Sequence, residues 1–563
     1  MRREVSVVNK KVCSFPILFA LLALLIGTCA VVFPASAQAA PTSTGSITVS
    51  GTVASSYDAY QIFDAHVVDG DNDAKIATDL AWASDAVRDA ALPVLHSAGM
   101  PNSQTTAQEA AEWLNTDSHL TSALSAQLAR SLQSSGAVSM ALNAGTAAEL
   151  PCGYWLIVAD NDAIAQGEAG TAPIMALVGG SAVTVKPKAA TPKVQKHVLE
   201  DSTAAWQKAA DATVADDLYW RLSATVPAGL TAYDTYTVQF VDTMGAGLDP
   251  SKVAASMRIY VAAGADGGFD AVPAGKDGRA GTEPAQGWTD ITAQCATKVA
   301  ADGKTFTVRT GDLIAALGGT EAFTAGARVV AVYNAPLNSA CNHGIAKGNP
   351  NEVYLRYPRS PLADQSGDAG FTRTPSDDAC AYTWDLALTK RGSDGDKPLA
   401  GAVLSIADDR GRTLAADGTW DAEGKATVTT GEDGRVTVSG VDSGKLEVRE
   451  LKAPKGYTAF EGTRSVTVKA EGLDVDQVAA AKPKLTITAE SPLRADSADG
   501  STGSLEASLI NTPTGTPPSI TTGGFMPSTG DMAMYAAAAA AVAGAALLVV
   551  ALLVKRGGGS HKE

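Results

Sequence analysis

The stretch LEVRELKAPKGY, residues 446–457, alternates apolar and polar residues and then breaks at Ala-Pro and at Gly. Alternation at period two marks a half-buried strand, with every second side chain on one face. Leu446, Val448 and Glu450 share that face. The inward stripe therefore ends in a carboxyl group.

Two neighbouring stretches end in the same manner. WDLALTK (384–390) puts Leu386, Leu388 and Lys390 on one face. SLEASLIN (504–511) does so with Leu505, Ala507, Leu509 and Asn511. Between them lie AVLSIAD, KATVTT, GRVTVSG, RSVTVKA and KLTITA, separated by turn residues such as Glu432-Asp433-Gly434. Seven or eight short strands at this spacing predict a β-sandwich over residues 384–512.

One amine, one carboxyl and one amide at the ends of apolar stripes form a chemical set. Burial disfavours both charges, so it neutralises the lysine and protonates the glutamic acid. A neutral amine is a nucleophile. A carboxyl beside it polarises the Asn carbonyl and passes a proton to the departing ammonia. Held in contact, Lys390 and Asn511 would join as an isopeptide, with proximity supplying most of the rate and no cofactor required. A buried Lys–Glu ion pair capped by Asn gives the same pattern, as do strand ends that simply reach water.

Residues 194–360 repeat the logic. Val194, Lys196 and Val198 share a face, as do Val238, Phe240 and Asp242, and Asn351, Val353 and Leu355. The expected second set is Lys196 and Asn351 with Asp242 as the acid. Asn349 has the same parity as Asn351 and is the alternative.

Residues 41–186 read as an α+β unit. GSITVSG, YDAYQIFDA, CGYWLIVAD and APIMALVGGSAVTV read as strands, and Leu120, Leu124, Leu128 and Leu132 recur at helical spacing. Residues 187–193 form a short Pro-containing hinge, and residues 513–525 a Pro/Gly/Thr linker. The fold class expected is mainly β: tandem immunoglobulin-like sandwiches behind an α+β N-terminal domain.

Both ends carry addresses. Arg2, Arg3, Lys10 and Lys11 precede an apolar run and the small residues Ala35-Ser36-Ala37, the pattern of a signal peptide over residues 1–37. Met532 to Val554 lacks charge and is long enough to span a bilayer, and Lys555, Arg556 and Lys562 follow in the tail, 555–563. The net charge of -16 argues against nucleic acid as a partner. Scattered histidines and the absence of CxxC predict no metal site, and no cofactor loop is present. The chain is expected not to be an enzyme, its only chemistry being self-directed. Of the cysteines beyond the leader, Cys295 and Cys341 are the candidate disulfide.

These motifs resemble those of Gram-positive, sortase-assembled shaft pilins. LEVRELKAPKGY is similar to the E-box of such pilins, matching it at Glu450, Ala453, Pro454, Gly456 and Tyr457, with Leu446 for Tyr and Leu451 for Thr. The third unit resembles a collagen-adhesin B-type domain, which implies a Lys390–Asn511 bond formed under Glu450. GNPNEVYLRYP and YTVQFVDTMGAGLD are similar to the closing and acid strands of the isopeptide-forming second domain of shaft pilins.

Met526-Pro527-Ser528-Thr529-Gly530 resembles the sorting motif Leu-Pro-x-Thr-Gly, with Met for Leu. The resemblance implies cleavage after Thr529 by a pilin-class sortase and transfer to an amine. VTVKPK (183–188) is similar to the pilin motif Val-x-Val-Tyr-Pro-Lys, which makes Lys188 the linking residue and Lys186 the alternative. It further implies a cell wall-anchored pilus after transient membrane insertion. The implied partners are other copies of the chain, minor pilins, a housekeeping sortase and peptidoglycan. Adhesion is a family expectation, and no host receptor is legible. A singly anchored adhesin, or a tip or basal pilin, is the competing reading.

Overall fold

The computed structural model describes residues 43–515, apart from 72–73, 117, 188–189, 215 and 275–278. The described chain is mainly β and falls into three units in sequence order. The proposed leader, sorting motif, membrane segment and tail lie outside the described residues, as does Lys188. No helix among the described residues is long and apolar enough to cross a membrane.

The first unit packs three helices against strands. The strand Ser56–Asp69 pairs antiparallel with Gly153–Ala159 and Lys75–Trp82. Helix α1 (Asp85–Ser97) starts at Ser84, whose side chain accepts from the Val87 amide. Helix α2 (Ala107–Asn115) starts with a reciprocal Thr106–Glu109 capping box, which satisfies two otherwise orphaned donors. Helix α3 (Ser122–Ser135) buries Leu124, Leu128 and Leu132 as the spacing predicts. Leu120 stands before the Thr121 cap, outside the helix, yet packs on the same core.

The second unit is a sandwich of two sheets. One holds Lys193–Glu200 beside Tyr219–Val226 and Ala327–Asn334. The facing sheet holds Gln239–Met244 beside Asn349–Pro358. Trp220, Phe240, Phe306, Tyr333, Val353 and Leu355 fill the space between them and are fully buried. The Gly/Asp-rich insertion around 262–287 covers the outer face, where Ala271 and Val272 pack on Tyr260, Val330 and Val332. The second sheet continues past 360, beyond the 194–360 bounds expected for this unit. Phe371–Arg373 and Asp377–Tyr382 return to pair with Asn349–Pro358.

The third unit has the expected two-sheet form. Its first strand, Trp384–Gly392, pairs parallel with its last, Ser504–Pro513, in the register Lys390↔Leu509 and Gly392↔Asn511. Gly444–Lys452 lies in the facing sheet, between Val403–Ala407 and Thr463–Glu471. A strand that the sequence did not reveal, Leu493–Asp499, adds to the far side of the last strand.

The second and third units share a close joint. Only Thr383 separates Asp377–Tyr382 from Trp384–Gly392; it is buried, and its hydroxyl donates to the Val441 carbonyl at 3.1 Å. Asp216 of the second unit receives a two-pronged contact from Arg412 of the third, at 2.5 and 2.7 Å. Gly440 adopts φ of +70°, and a Cβ there would lie 2.3 Å from Val214, so only glycine fits this contact.

Candidate functional site

In the third unit the parity argument brings together three fully buried side chains. Lys390 Nζ donates to Asn511 Oδ1 and lies 3.3 Å from Glu450 Oε1. Asn511 Nδ2 donates to the same Glu450 oxygen at 2.8 Å. The other carboxyl oxygen accepts from the Phe460 amide at 3.1 Å, which fixes the group's rotation. Lysine and asparagine stand on neighbouring parallel strands of one sheet, and the acid reaches in from the opposite sheet. Burial lowers the Lys390 amine to about 8, against the pull of Glu450. That increases its neutral, nucleophilic fraction near physiological pH.

In the second unit Lys196, Asp242 and Asn351 are likewise fully buried. Lys196 Nζ donates to Asp242 Oδ2, and its charge lies 5.5 Å from the ring centres of Trp220 and of Tyr333. Burial lowers Lys196 to about 8 and raises Asp242, each opposed by the other's charge. Asp242 pairs with Val353, and Met244 with Asn351, so acid and amide sit diagonally on adjacent strands. Lys196 comes from the facing sheet.

Tyr333 completes this centre, and sequence reasoning missed it. Its hydroxyl donates to Asp242 Oδ2 at 3.0 Å and accepts from Lys196 Nζ at 3.0 Å and from Asn351 Nδ2 at 2.8 Å. The signal was present: Val329, Ala331 and Tyr333 alternate along one inward face, ending in a polar group. Among the described residues, Asp242 Oδ1 and Asn351 Oδ1 have no hydrogen-bond partner despite burial. Such unsatisfied atoms each cost about 1–3 kcal/mol.

Asn349 is placed elsewhere. Its amide is held by the Asn342 backbone at 2.8 and 2.9 Å and by the Ala381 carbonyl at 3.2 Å. The structure brings Asn351, and not Asn349, to the lysine centre.

The anticipated disulfide is corrected: Cys295 and Cys341 are both free thiols, as are Cys152 and Cys380. The Cys295 thiol donates to the Ile291 carbonyl at 3.2 Å, and Cys341 packs against Gly247. Burial pushes both thiols up to about 11, so they stay protonated and poorly nucleophilic. No group of three or more His, Cys, Asp or Glu among the described residues could hold a metal ion.

Of the linking segment, Val183–Val185 pairs parallel with Thr44–Val49. Val185 is buried and Lys186 exposed, in keeping with their opposite parity.

Residues 385–482 match the family model described as SpaA, a prealbumin-like fold domain. Over those residues the third unit is similar to a SpaA prealbumin-like domain. The match ends before the closing strand, which delivers Asn511 to the prealbumin-like domain's lysine.

The chain is also 30% identical over 143 residues to the trypsin-resistant surface T6 protein of Streptococcus pyogenes serotype M6. That alignment takes in 24% of this chain and 24% of the relative, so the chain spans about a quarter of that protein's length in the match. The solved T6 backbone pilin of the same serotype is similar over 85% of this chain and 100% of its own, at 16% identity and TM-score 0.45. The full-length major pilin SpaD of Corynebacterium diphtheriae is similar over 84% of this chain and 98% of its own, at 14% identity and TM-score 0.40.

Proposed function

We propose that the chain is the shaft subunit of a covalently polymerised surface pilus, stiffened by two autocatalytic isopeptide bonds. The observation that carries this reading is the pair of buried amine–acid–amide centres, one in each sandwich. Each contains a lysine whose amine burial brings to about 8. A buried ion pair alone leaves a desolvation penalty that good geometry only partly offsets. Bond formation removes it, because the product is a neutral amide and ammonia leaves.

The third-domain reaction is direct. Lys390 Nζ attacks Asn511 Cγ, and Glu450, within reach of both nitrogens, moves a proton from the amine to the departing Nδ2. The bond closes a loop of 121 residues. By the chain-entropy model for disulfides, such a closure adds about 4–5 kcal/mol. In the second domain Lys196 and Asn351 react under Asp242.

Polymerisation rests on the sorting motif and the linking lysine. A sortase cuts between Thr529 and Gly530 and joins Thr529 to Lys188 of another copy, with Lys186 as the next candidate. A housekeeping sortase transfers the finished polymer to peptidoglycan, with minor pilins added along it.

Two measurements test this. The intact mass of the secreted chain should fall below its sequence mass by two ammonia; a full sequence mass refutes the cross-links. Wall extracts should show a high-molecular-weight ladder that disappears in Lys188→Ala. A ladder that persists in Lys188→Ala and is lost in Lys186→Ala moves the link to Lys186, and no ladder in the wild type refutes the shaft role.

A further inference from the structure

The two centres differ in what the acid can touch. Glu450 Oε1 lies 3.3 Å from the Lys390 amine and 2.8 Å from the Asn511 amide nitrogen. Asp242 is one methylene shorter. It contacts the Lys196 amine, but its link to the Asn351 nitrogen runs through the Tyr333 hydroxyl, at 3.0 and then 2.8 Å. The tyrosine supplies the missing reach.

We propose that Tyr333 is a catalytic residue of the second-domain cross-link, carrying a proton from Asp242 to the departing nitrogen of Asn351. This rests on the reading that Lys196 and Asn351 become bonded. A phenol suits the task because its oxygen both donates and accepts. It already donates to Asp242 and accepts from both reacting nitrogens. Burial holds its ionisation well above the ordinary range, so it remains a protonated relay rather than a base.

The step balances as follows. Lys196 Nζ attacks Asn351 Cγ, forming the new C–N bond and leaving one surplus proton on Nζ. That proton passes to Asp242 Oδ2. Asp242 returns a proton to the Tyr333 oxygen as the phenol proton moves to Asn351 Nδ2. The Cγ–Nδ2 bond then breaks and ammonia departs. Asp242 and Tyr333 end as they began, and no oxidant or cofactor is consumed.

Tyr333→Phe tests the relay, since it keeps the ring that packs against Phe306. The full secreted chain is sampled over time after expression, by intact mass and by peptide mapping. The third-domain bond in the same molecule serves as an internal control for folding and secretion. The expected result is a chain lighter by only one ammonia, with the Lys196–Asn351 peptide accumulating about 100-fold more slowly than in the wild type.

Adding Asp242→Glu restores a direct acid contact and should return the second bond. If Tyr333→Phe loses two ammonia on the wild-type timescale, the relay is refuted while the bond stands. If Tyr333→Phe is slow and Asp242→Glu fails to rescue it, the hydroxyl's role is packing and the relay is likewise refuted. A wild-type chain with no Lys196–Asn351 peptide overturns the underlying cross-link instead.

Discussion

The second and third domains solve one chemical problem in two geometries. In the third, lysine and asparagine lie side by side on parallel strands of one sheet, and the acid comes from across the core. In the second, acid and asparagine share a sheet and the lysine comes from across. A bond in the third domain would tie first strand to last; a bond in the second would tie sheet to sheet. With its bond formed, the first arrangement would resist pulling along the chain, and the second would resist separation of the layers. Interior burial rather than strand order is what the two share, and burial is what tunes the amines.

The strongest way to break the comparison is to remove the partners. Asn511→Ala should cost the third domain about 4–5 kcal/mol by loss of the closed loop, read as a lower midpoint in denaturant, and its intact mass should fall short of its own sequence mass by one ammonia rather than two. Lys196→Ala should likewise fall short of its own sequence mass by only one ammonia, with the third-domain bond still formed. A deficit of two ammonia in a variant, the same as in the wild type, would refute that domain's bond.

Next in size is an exchange of reach. Glu450→Asp shortens the acid in a centre with no tyrosine relay. Bond formation there should slow about 100-fold, by time-resolved intact mass. An unchanged rate would show that acid length does not distinguish the centres.

A smaller effect is expected from pH. In Asn511→Ala, Lys390 remains a buried amine, with an ionisation near 8 in the folded chain against 10.5 when exposed. Between those values the unfolded chain binds the extra proton, so raising the pH across that window stabilises the fold. The cost of burying the amine is fully present below pH 8. The wild-type domain, its amine consumed, should lack this rise. Melting temperatures on either side of the window decide it.

The smallest change should come from Leu451→Thr, which restores the residue usual in the E-box. Leu451 is 49% exposed, so stability should move by no more than about 0.5 kcal/mol in a denaturant titration. A larger shift would mean that the exposed face of this strand contributes to the site.

Much of this was legible because strands have a period of two. That rule alone placed Lys390, Glu450, Asn511, Lys196, Asp242 and Asn351 on inward faces, and all six are buried. It could not choose between Asn349 and Asn351, which share parity and are both buried. Only the register against Gln239–Met244 separates them. Tyr333 escaped because a tyrosine at the end of an apolar stripe reads as core. Leu493–Asp499 escaped because, in LRADSAD, only Leu493 is a buried residue. The sheet strand after 360 was hidden by the Pro- and Gly-containing return that precedes it.

Thr383 has one more consequence. An extracellular protease needs several residues of extended, accessible backbone, and the connections between domains usually provide it. Here the connection is one buried residue flanked by two paired strands, with its carbonyl accepting from the Gly344 amide at 3.0 Å. Cleavage at this joint would require unpairing a sheet in one domain or the other. The boundary between the two sandwiches should therefore resist digestion as their interiors do.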